Sequence, residues 1–234
     1  MQKAKIVIIG TSHISPESIR EIDRAIKEEK PDCVAVELDA GRLHGLLKKE
    51  PISLSAISEI GFRNFLVAKI FSMIQRYLGR KTGVMPGEEM LTAVKSASEM
   101  KADLALVDQD IRITLERMKT IPFTEKVKLF FSFFRKIDTE EKFDLRKVPV
   151  ERIVEKVLDE LREISPTLYE VLVEERNRYM AKRLFDLSHR YKKIIAVVGI
   201  GHKKGILRDL KKLETEKKEL DKKIMLYKFH TKTY

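Results

Sequence analysis

Four short apolar runs stand out along the chain, and each leads into a glycine or a carboxylate. They are Ile6–Ile9, Cys33–Glu37, Leu104–Val107 and Ile194–Val198, and most of their residues are apolar without a break for polar positions. Continuous apolar runs of this length are typical of strands that are buried on both faces of a parallel sheet. The pattern therefore predicts four buried strands.

Helical patterns fill most of the remaining chain. Serine followed by proline, at Ser15-Pro16 and again at Ser165-Pro166, is a typical helix start. A last strand is predicted at Ile224–Phe229. The predicted helices cover residues 16–30, 39–49, 53–80, 88–100 and 111–190, the last with breaks near Pro122, Pro149 and Pro166, and a further helix begins at about Lys203.

This order of elements predicts an α/β fold, with a mainly parallel central sheet covered by helices. We expect one domain over residues 1–234. The large helical insertion, at about 111–190, lies between the two strand-bearing halves and forms either a cap or a helical layer.

Composition narrows the class of protein. Hydrophobic residues make up 43% of the 234 residues, which is enough for a folded core, and no apolar stretch reaches the roughly 18 residues that span a bilayer. Cys33 is the single cysteine, which excludes an intrachain disulfide. The net charge of +11 favours polyanions, but basic residues alternate with glutamates and show no nucleic-acid-binding motif. We expect a soluble domain without a nucleic-acid partner.

Polar residues follow the predicted strands at the edge where ligands bind in open α/β sheets. Imidazole and carboxylate groups there can bind a divalent metal ion, or can act as a metal-free acid–base pair. The first and fourth strands end in the same Gly-x-x-His pattern, which favours a functional role for these histidines. The residues at this edge are His13, Glu37, Asp39, Asp108, Asp110 and His202.

Several polar residues are explained equally well by a purely structural role. Asp108 and Asp110 are as well explained by capping of the next helix as by chemistry. Arg42 is interpreted as an ion-pair partner of Glu37, and Arg176 and Arg178 fit a helix surface equally well. We expect His44, His189 and His230 to be surface residues.

Several ordered motifs resemble those of the TraB/PrgY family, which also includes the Tiki proteins. They extend from about residue 5 to residue 202, so the resemblance covers most of the chain. Gln109 departs from it where arginine is expected, and Asp39 where many members have cysteine. The matching segments are Ile9–Ser15, Val36–Arg42, Gly83–Met90, Asp108–Arg117, Glu174–Ala181 and Val198–His202.

The resemblance implies an erythromycin-esterase/ChaN-like fold and a metal-dependent hydrolase, acting as a peptidase on a peptide or protein signal. It implies His13, His202 and Glu37 as ligands of a divalent ion, for which manganese, cobalt and zinc are the candidates. Glu37 also belongs to the implied catalytic set, with Glu89 as a further carboxylate and Arg178 as an anion-binding group.

The resemblance also leaves a different function open, that of a protein which binds and sequesters a peptide pheromone without cleaving it. Members commonly carry hydrophobic segments after this domain. The basic stretch Lys211–Lys223 fits a cytoplasmic domain close to a membrane, to which a missing C-terminal segment would connect it. Two protomers could pair across the helical block.

Overall fold

The computed structural model of the chain describes residues 4–11, 16–48, 87–138 and 150–230. The helices predicted at 53–80 lie outside these residues, as does His13. Within the part that is described, the four predicted strands form one parallel sheet in the order β1-β4-β2-β3. The strands are β1 (Lys5–Thr11), β2 (Cys33–Val36), β3 (Asp103–Leu106) and β4 (Lys193–Gly199).

Helices cover both faces of the sheet. The described helices are α1 (Pro16–Glu29), α2 (Ala40–Lys48), α3 (Glu88–Glu99), α4 (Ile111–Met118), α5 (Phe123–Asp138), α6 (Val150–Ile164), α7 (Pro166–Tyr169), a π-helical turn (Glu170–Glu174), α8 (Glu175–Leu187) and α9 (Ile200–His230).

The two inner strands are the buried ones. All four residues of β2 are buried, and so are six of the seven in β4. Alternate residues point to opposite faces, as the geometry of a strand requires. Cys33 and Ala35 pack with α8 and α9, whereas Val34 and Val36 pack with α1 and α3.

The outer strands differ from the prediction of full burial. In β1 only Ile8 and Thr11 are buried, and no residue of β3 is. Both strands lie at edges of the described sheet, where one side of the strand has no neighbour. An apolar run of four residues predicts the strand but not its position in the sheet.

The helical block between β3 and β4 contributes to two separate cores. Helix α8 covers the sheet, with Met180, Ala181 and Leu184 in the core. Helices α4 to α7 instead share a separate small core, in which Met118 and Ile121 pack with Leu168.

The prediction of a strand at Ile224–Phe229 is wrong. These residues belong to α9, which begins directly after β4 at Ile200 and continues to His230. Beyond Gly205 the sequence contains no glycine or proline and is rich in lysine, glutamate and leucine, which are good helix formers. A helix that has started therefore propagates through the segment. Within the described residues, no helix is both long and apolar enough to cross a membrane.

Candidate functional site

The two Gly-x-x-His segments leave neighbouring strands. Strands β1 and β4 are paired in parallel, with Gly10 opposite Val198 and Thr11 opposite Gly199. The first residues of the two segments, up to Thr11 and from Gly199, therefore lie side by side at the carboxyl edge of the sheet. Their contact is close at Gly10, where a Cβ atom would lie 2.7 Å from Cδ1 of Ile200.

Glu37 follows β2 at this edge and is buried beneath the helices. Its Oε2 atom accepts a hydrogen bond of 2.6 Å from the backbone N–H of Gly199, the residue that precedes α9. Amide groups at a helix N-terminus favour negative charge, which suits a carboxylate. Its Oε1 atom forms an ion pair with Arg176. Glu37 is thus held by a strand end on one side and by helix α8 on the other.

Asp108, which follows β3, forms ion pairs both with Arg176, the partner of Glu37, and with a second arginine, Arg42. Its side chain is completely buried, and its Oδ2 atom lies 2.5 Å from Nη2 of Arg176 and 2.5 Å from Nη2 of Arg42. Arg42 in turn donates to Oδ2 of Asp39 at 2.6 Å. We call these five residues the arginine–carboxylate network.

The two arginines of the network remain charged. Burial opposes the charge of Arg176, but Glu37 and Asp108 outweigh it and hold the pKa of Arg176 above its ordinary value. Burial likewise opposes the charge of Arg42, and Asp108 and Asp39 again raise the pKa. Among the described residues, the network thus combines three carboxylates with two guanidinium groups.

His202 lies beside this network, in the first turn of α9 rather than in the loop that the sequence predicts. Its Nδ1 atom is 2.8 Å from Oδ1 of Asn177, and its Nε2 atom is 3.5 Å from Oε1 of Glu37. Because an amide oxygen only accepts hydrogen bonds, Nδ1 carries a proton in this arrangement. The Nε2 atom faces the carboxylate of Glu37.

A π-helical turn directs two of these side chains into the site. The backbone N–H of Glu175 bonds to the carbonyl of Glu170, five residues earlier, which adds one residue to the turn. One residue corresponds to about 100° of rotation on an α-helix, so this turn decides which way Arg176 and Asn177 point. Arg176 also donates from Nη1 to the carbonyl of Leu172, within the π turn, at 3.3 Å.

Sequence reasoning missed Arg176, Asn177 and Arg42 as members of the site. The prediction for Arg42 was an ion pair with Glu37, whereas its observed partners are Asp39 and Asp108. For Arg176 and Asn177, the only indication in the sequence was that both lie in the segment Glu174–Ala181, which resembles a family motif. Helical periodicity cannot show a π turn, so it left a surface position of Arg176 as an equally good interpretation.

The remaining predicted residues have different surroundings. Glu89 is 1% exposed and lies in the first turn of α3. Helix α3 leads back to the start of β3, so its first turn is near the carboxyl edge of the sheet. Arg178 is half exposed and pairs with Glu170 on the helix surface. His44 and His189 are exposed, as predicted.

The residues at the two departures from the family pattern have structural partners. Asp39 accepts a hydrogen bond from the backbone N–H of Arg42 and so caps α2. Gln109 is buried and donates from Nε2 to Oγ1 of Thr114 at 2.9 Å. Asp110 caps α4 by accepting from the N–H of Arg112, which confirms the capping alternative for this residue.

The donor atoms at this edge are compatible with a cation. Two ligands that each lie about 2.0–2.1 Å from a tetrahedral ion are about 3.3 Å apart, close to the spacing of His202 Nε2 and Glu37 Oε1. The bond from His202 to Asn177 also leaves Nε2 as the ligating atom. No group of three or more potential metal ligands occurs within the described ranges, which do not include His13.

Comparisons with known proteins agree with the resemblance. An uncharacterized protein of Methanocaldococcus jannaschii is 40% identical over 224 residues, which cover 92% of this chain and 55% of that protein. TraB domain-containing proteins of Mus musculus and Homo sapiens are both 26% identical over 232 residues, which cover 87% of this chain and 62% of theirs. The chain thus spans little more than half the length of these relatives. The sequence model of the TraB/PrgY/gumN family matches residues 2–221, and the chain belongs to this family.

Proposed function

We propose that the carboxyl edge of the sheet is the catalytic centre of a metal-dependent hydrolase that acts on peptides. The observation that carries the proposal is the pairing of His202 with Glu37, which is buried at the end of the sheet and belongs to the arginine–carboxylate network. His202 and Glu37 are two of the proposed ligands, and His13, which follows the last residue of β1 by two positions in the sequence, is the third. The erythromycin-esterase/ChaN-like assignment of the fold belongs to the same proposal.

Each protein group has a distinct part in this proposal. When bound, a divalent ion supplies a Lewis acid that allows water to react at neutral pH. Arg176 pairs with the Oε1 atom of Glu37, and the backbone N–H of Gly199 donates to Oε2, so both oxygens are fixed in position. Glu89 is the second carboxylate, which accepts the proton of the attacking water. Its burial protects that carboxylate from bulk solvent. The anion-binding role of Arg178 stays a prediction.

Metal content tests the proposed ligands. Protein that is stripped with a chelator and reloaded with manganese, cobalt or zinc is expected to retain one ion per chain. His202→Ala and His13→Ala should lose it, whereas His44→Ala, which changes an exposed histidine on α2, should not. Circular dichroism verifies that each variant is folded. If folded His202→Ala keeps a full equivalent of metal, the assignment of ligands is wrong.

Peptide cleavage tests the chemistry separately. A peptide library incubated with the loaded protein is expected to yield products that disappear in Glu89→Gln. Because glutamine is similar in size to glutamate but cannot accept the proton, metal binding should persist in this variant. Cleavage that is undiminished in Glu89→Gln would contradict the role of this carboxylate.

One observation favours the alternative, a protein that binds a peptide without cleaving it. Both oxygens of Glu37 already accept hydrogen bonds from protein groups, which leaves the carboxylate less available to a cation. This alternative predicts that a bound peptide is recovered intact after long incubation with reloaded protein. Mass spectrometry of the eluted peptide distinguishes the two functions.

A further inference from the structure

Helices α5 and α6 lie next to each other in the helical block and expose apolar side chains to solvent. We propose that this face binds a second copy of the chain through a two-fold axis. The proposal depends on an apolar stripe along α5, on the groove between the two helices, and on two charged side chains that line the groove. None of these residues belongs to the proposed catalytic centre, so the two proposals are independent.

The apolar stripe contains two phenylalanines, which are the most exposed large apolar side chains within the described ranges. Phe123 is 67% exposed and Phe131 is 66% exposed. Val127 lies midway between them, and a spacing of four residues puts all three on one face of α5. Another face of α5 is held in place, because Leu129 packs in the small core with Leu161 of α6. The stripe is therefore presented by a helix that is anchored to the rest of the block.

A groove of about 440 Å³ lies between this stripe and α6. Val127 and Phe131 line it from α5, and Ile164 lines it from α6. Val157 precedes Ile164 by seven residues, which places it on the same side of α6, and it is 52% exposed. Grouped exposed apolar side chains mark a binding surface, and aromatic residues are enriched where proteins contact each other.

The charges that line the groove favour a second copy as its occupant. Lys128 on α5 and Glu163 on α6 are both exposed, and neither has an ion-pair partner in the part of the chain that the structure describes. A two-fold axis uses the same face twice, so a contact from Lys128 to Glu163 of the second copy would occur twice. A purely basic or purely acidic partner would meet one repelling charge, whereas the face is complementary to itself.

The size of the face fits a weak, reversible dimer. Helix α6 has 15 residues and is therefore about 22 Å long. Two adjacent helices, each about 10 Å wide, give a face of roughly 450 Å² in each copy, or about 900 Å² for both. This area lies near the lower limit for specific interfaces, so we expect the dimer to form at micromolar concentrations and above.

Sedimentation velocity measures this association directly. The wild type is expected to change from monomer to dimer as its concentration is raised from low micromolar to near millimolar. Phe131→Ala should weaken the dimer at least about 30-fold, because an aromatic side chain is lost on both sides of the axis. Leu220→Ala is the control, since Leu220 is also exposed, at 57%, but lies on α9. This control should dimerise as the wild type does.

Reversal of the two charges tests the symmetry of the contact. Lys128→Glu and Glu163→Lys should each dimerise about 10-fold more weakly, because like charges then meet twice. The double variant with both changes has the net charge of the wild type and should recover its affinity. An equimolar mixture of the two single variants should also recover it, since each contact in the mixed dimer joins opposite charges. Circular dichroism verifies that all variants are folded.

Three outcomes would overturn the inference. The first is a wild type that stays monomeric at the highest concentration, and the second is a dimer that Phe131→Ala leaves unchanged, which would use another surface. In the third, neither the double variant nor the mixture recovers the affinity. A monomer that binds phosphatidylglycerol vesicles through Phe131 would show that the groove contacts lipid instead. Metal content should be the same in all these variants, so failure of this inference and failure of the proposed function are distinguishable.

Discussion

Replacing Arg176 by methionine tests whether the arginine–carboxylate network is a buried ionic structure. Methionine keeps the length and apolar character of the side chain but donates no hydrogen bonds. The change leaves Glu37 and Asp108, whose side chains are 9% and 0% exposed, without their shared cation. Loss of one partner from a buried ion pair costs about 3–5 kcal/mol, because the remaining charge stays buried. Since Asp108 keeps Arg42, and Glu37 keeps the N–H of Gly199, we expect a loss of about 3 kcal/mol.

Arg178→Met is a closely matched control for this experiment. Arg178 lies on the same helix and also pairs with a glutamate, but its side chain is 52% exposed and that of Glu170 is 44% exposed. Exposed pairs contribute about 0–1 kcal/mol. Urea unfolding, followed by circular dichroism at neutral pH, gives the free energy of unfolding of both variants from the midpoint and slope of the transition.

The reasoning is refuted if the two variants lose similar stability. A further variant distinguishes the effect of charge from that of packing. Glu37→Gln in the Arg176→Met background removes the carboxylate that has lost its arginine partner. This double variant should be more stable than Arg176→Met alone. If it is less stable, the loss in Arg176→Met comes from packing and not from an unpaired carboxylate.

Three further predictions concern single residues. Burial raises the pKa of the Cys33 thiol to about 11, so the folded protein should resist alkylation that proceeds readily in urea, and fast labelling of the folded state would contradict its burial. Hydrogen bonds from the side chain and then the backbone of Arg112 lower the pKa of Asp110 from 3.8 to about 2. The stability from this carboxylate is therefore fully present above 3.8 and lost as pH falls towards 2. In urea unfolding, the difference in free energy of unfolding between the wild type and Asp110→Asn should shrink as pH falls from 3.8 towards 2. A difference that stays constant over this pH range would refute the lowered pKa of Asp110. The buried hydroxyl of Thr11 has no hydrogen-bond partner within the described structure, so Thr11→Val should be neutral or stabilise by up to about 1 kcal/mol, and a clear loss of stability in urea would reveal a missing partner.

The local pattern of the sequence was sufficient to predict the strands and the edge at which the site lies. The four strands are short apolar runs, and parallel strands present their carboxyl ends at the same edge. Glu37, Asp108 and His202 could therefore be placed near one another before any tertiary structure was considered. The same pattern could not distinguish inner from edge strands, because an apolar run does not specify how many neighbours a strand has.

Only the tertiary structure decided how these residues are paired. Arg176 lies 139 residues from Glu37 in the chain, and its direction depends on a π-helical turn that has no periodic signature. Asn177 and Gly205 matter because two helices pack closely at one point, and a one-dimensional pattern does not contain that contact. The sequence by itself thus determined which residues reach the carboxyl edge, since this follows from local structure. Packing between distant helices and strands decided which charges are buried together, because burial and pairing depend on the surroundings of a group in space.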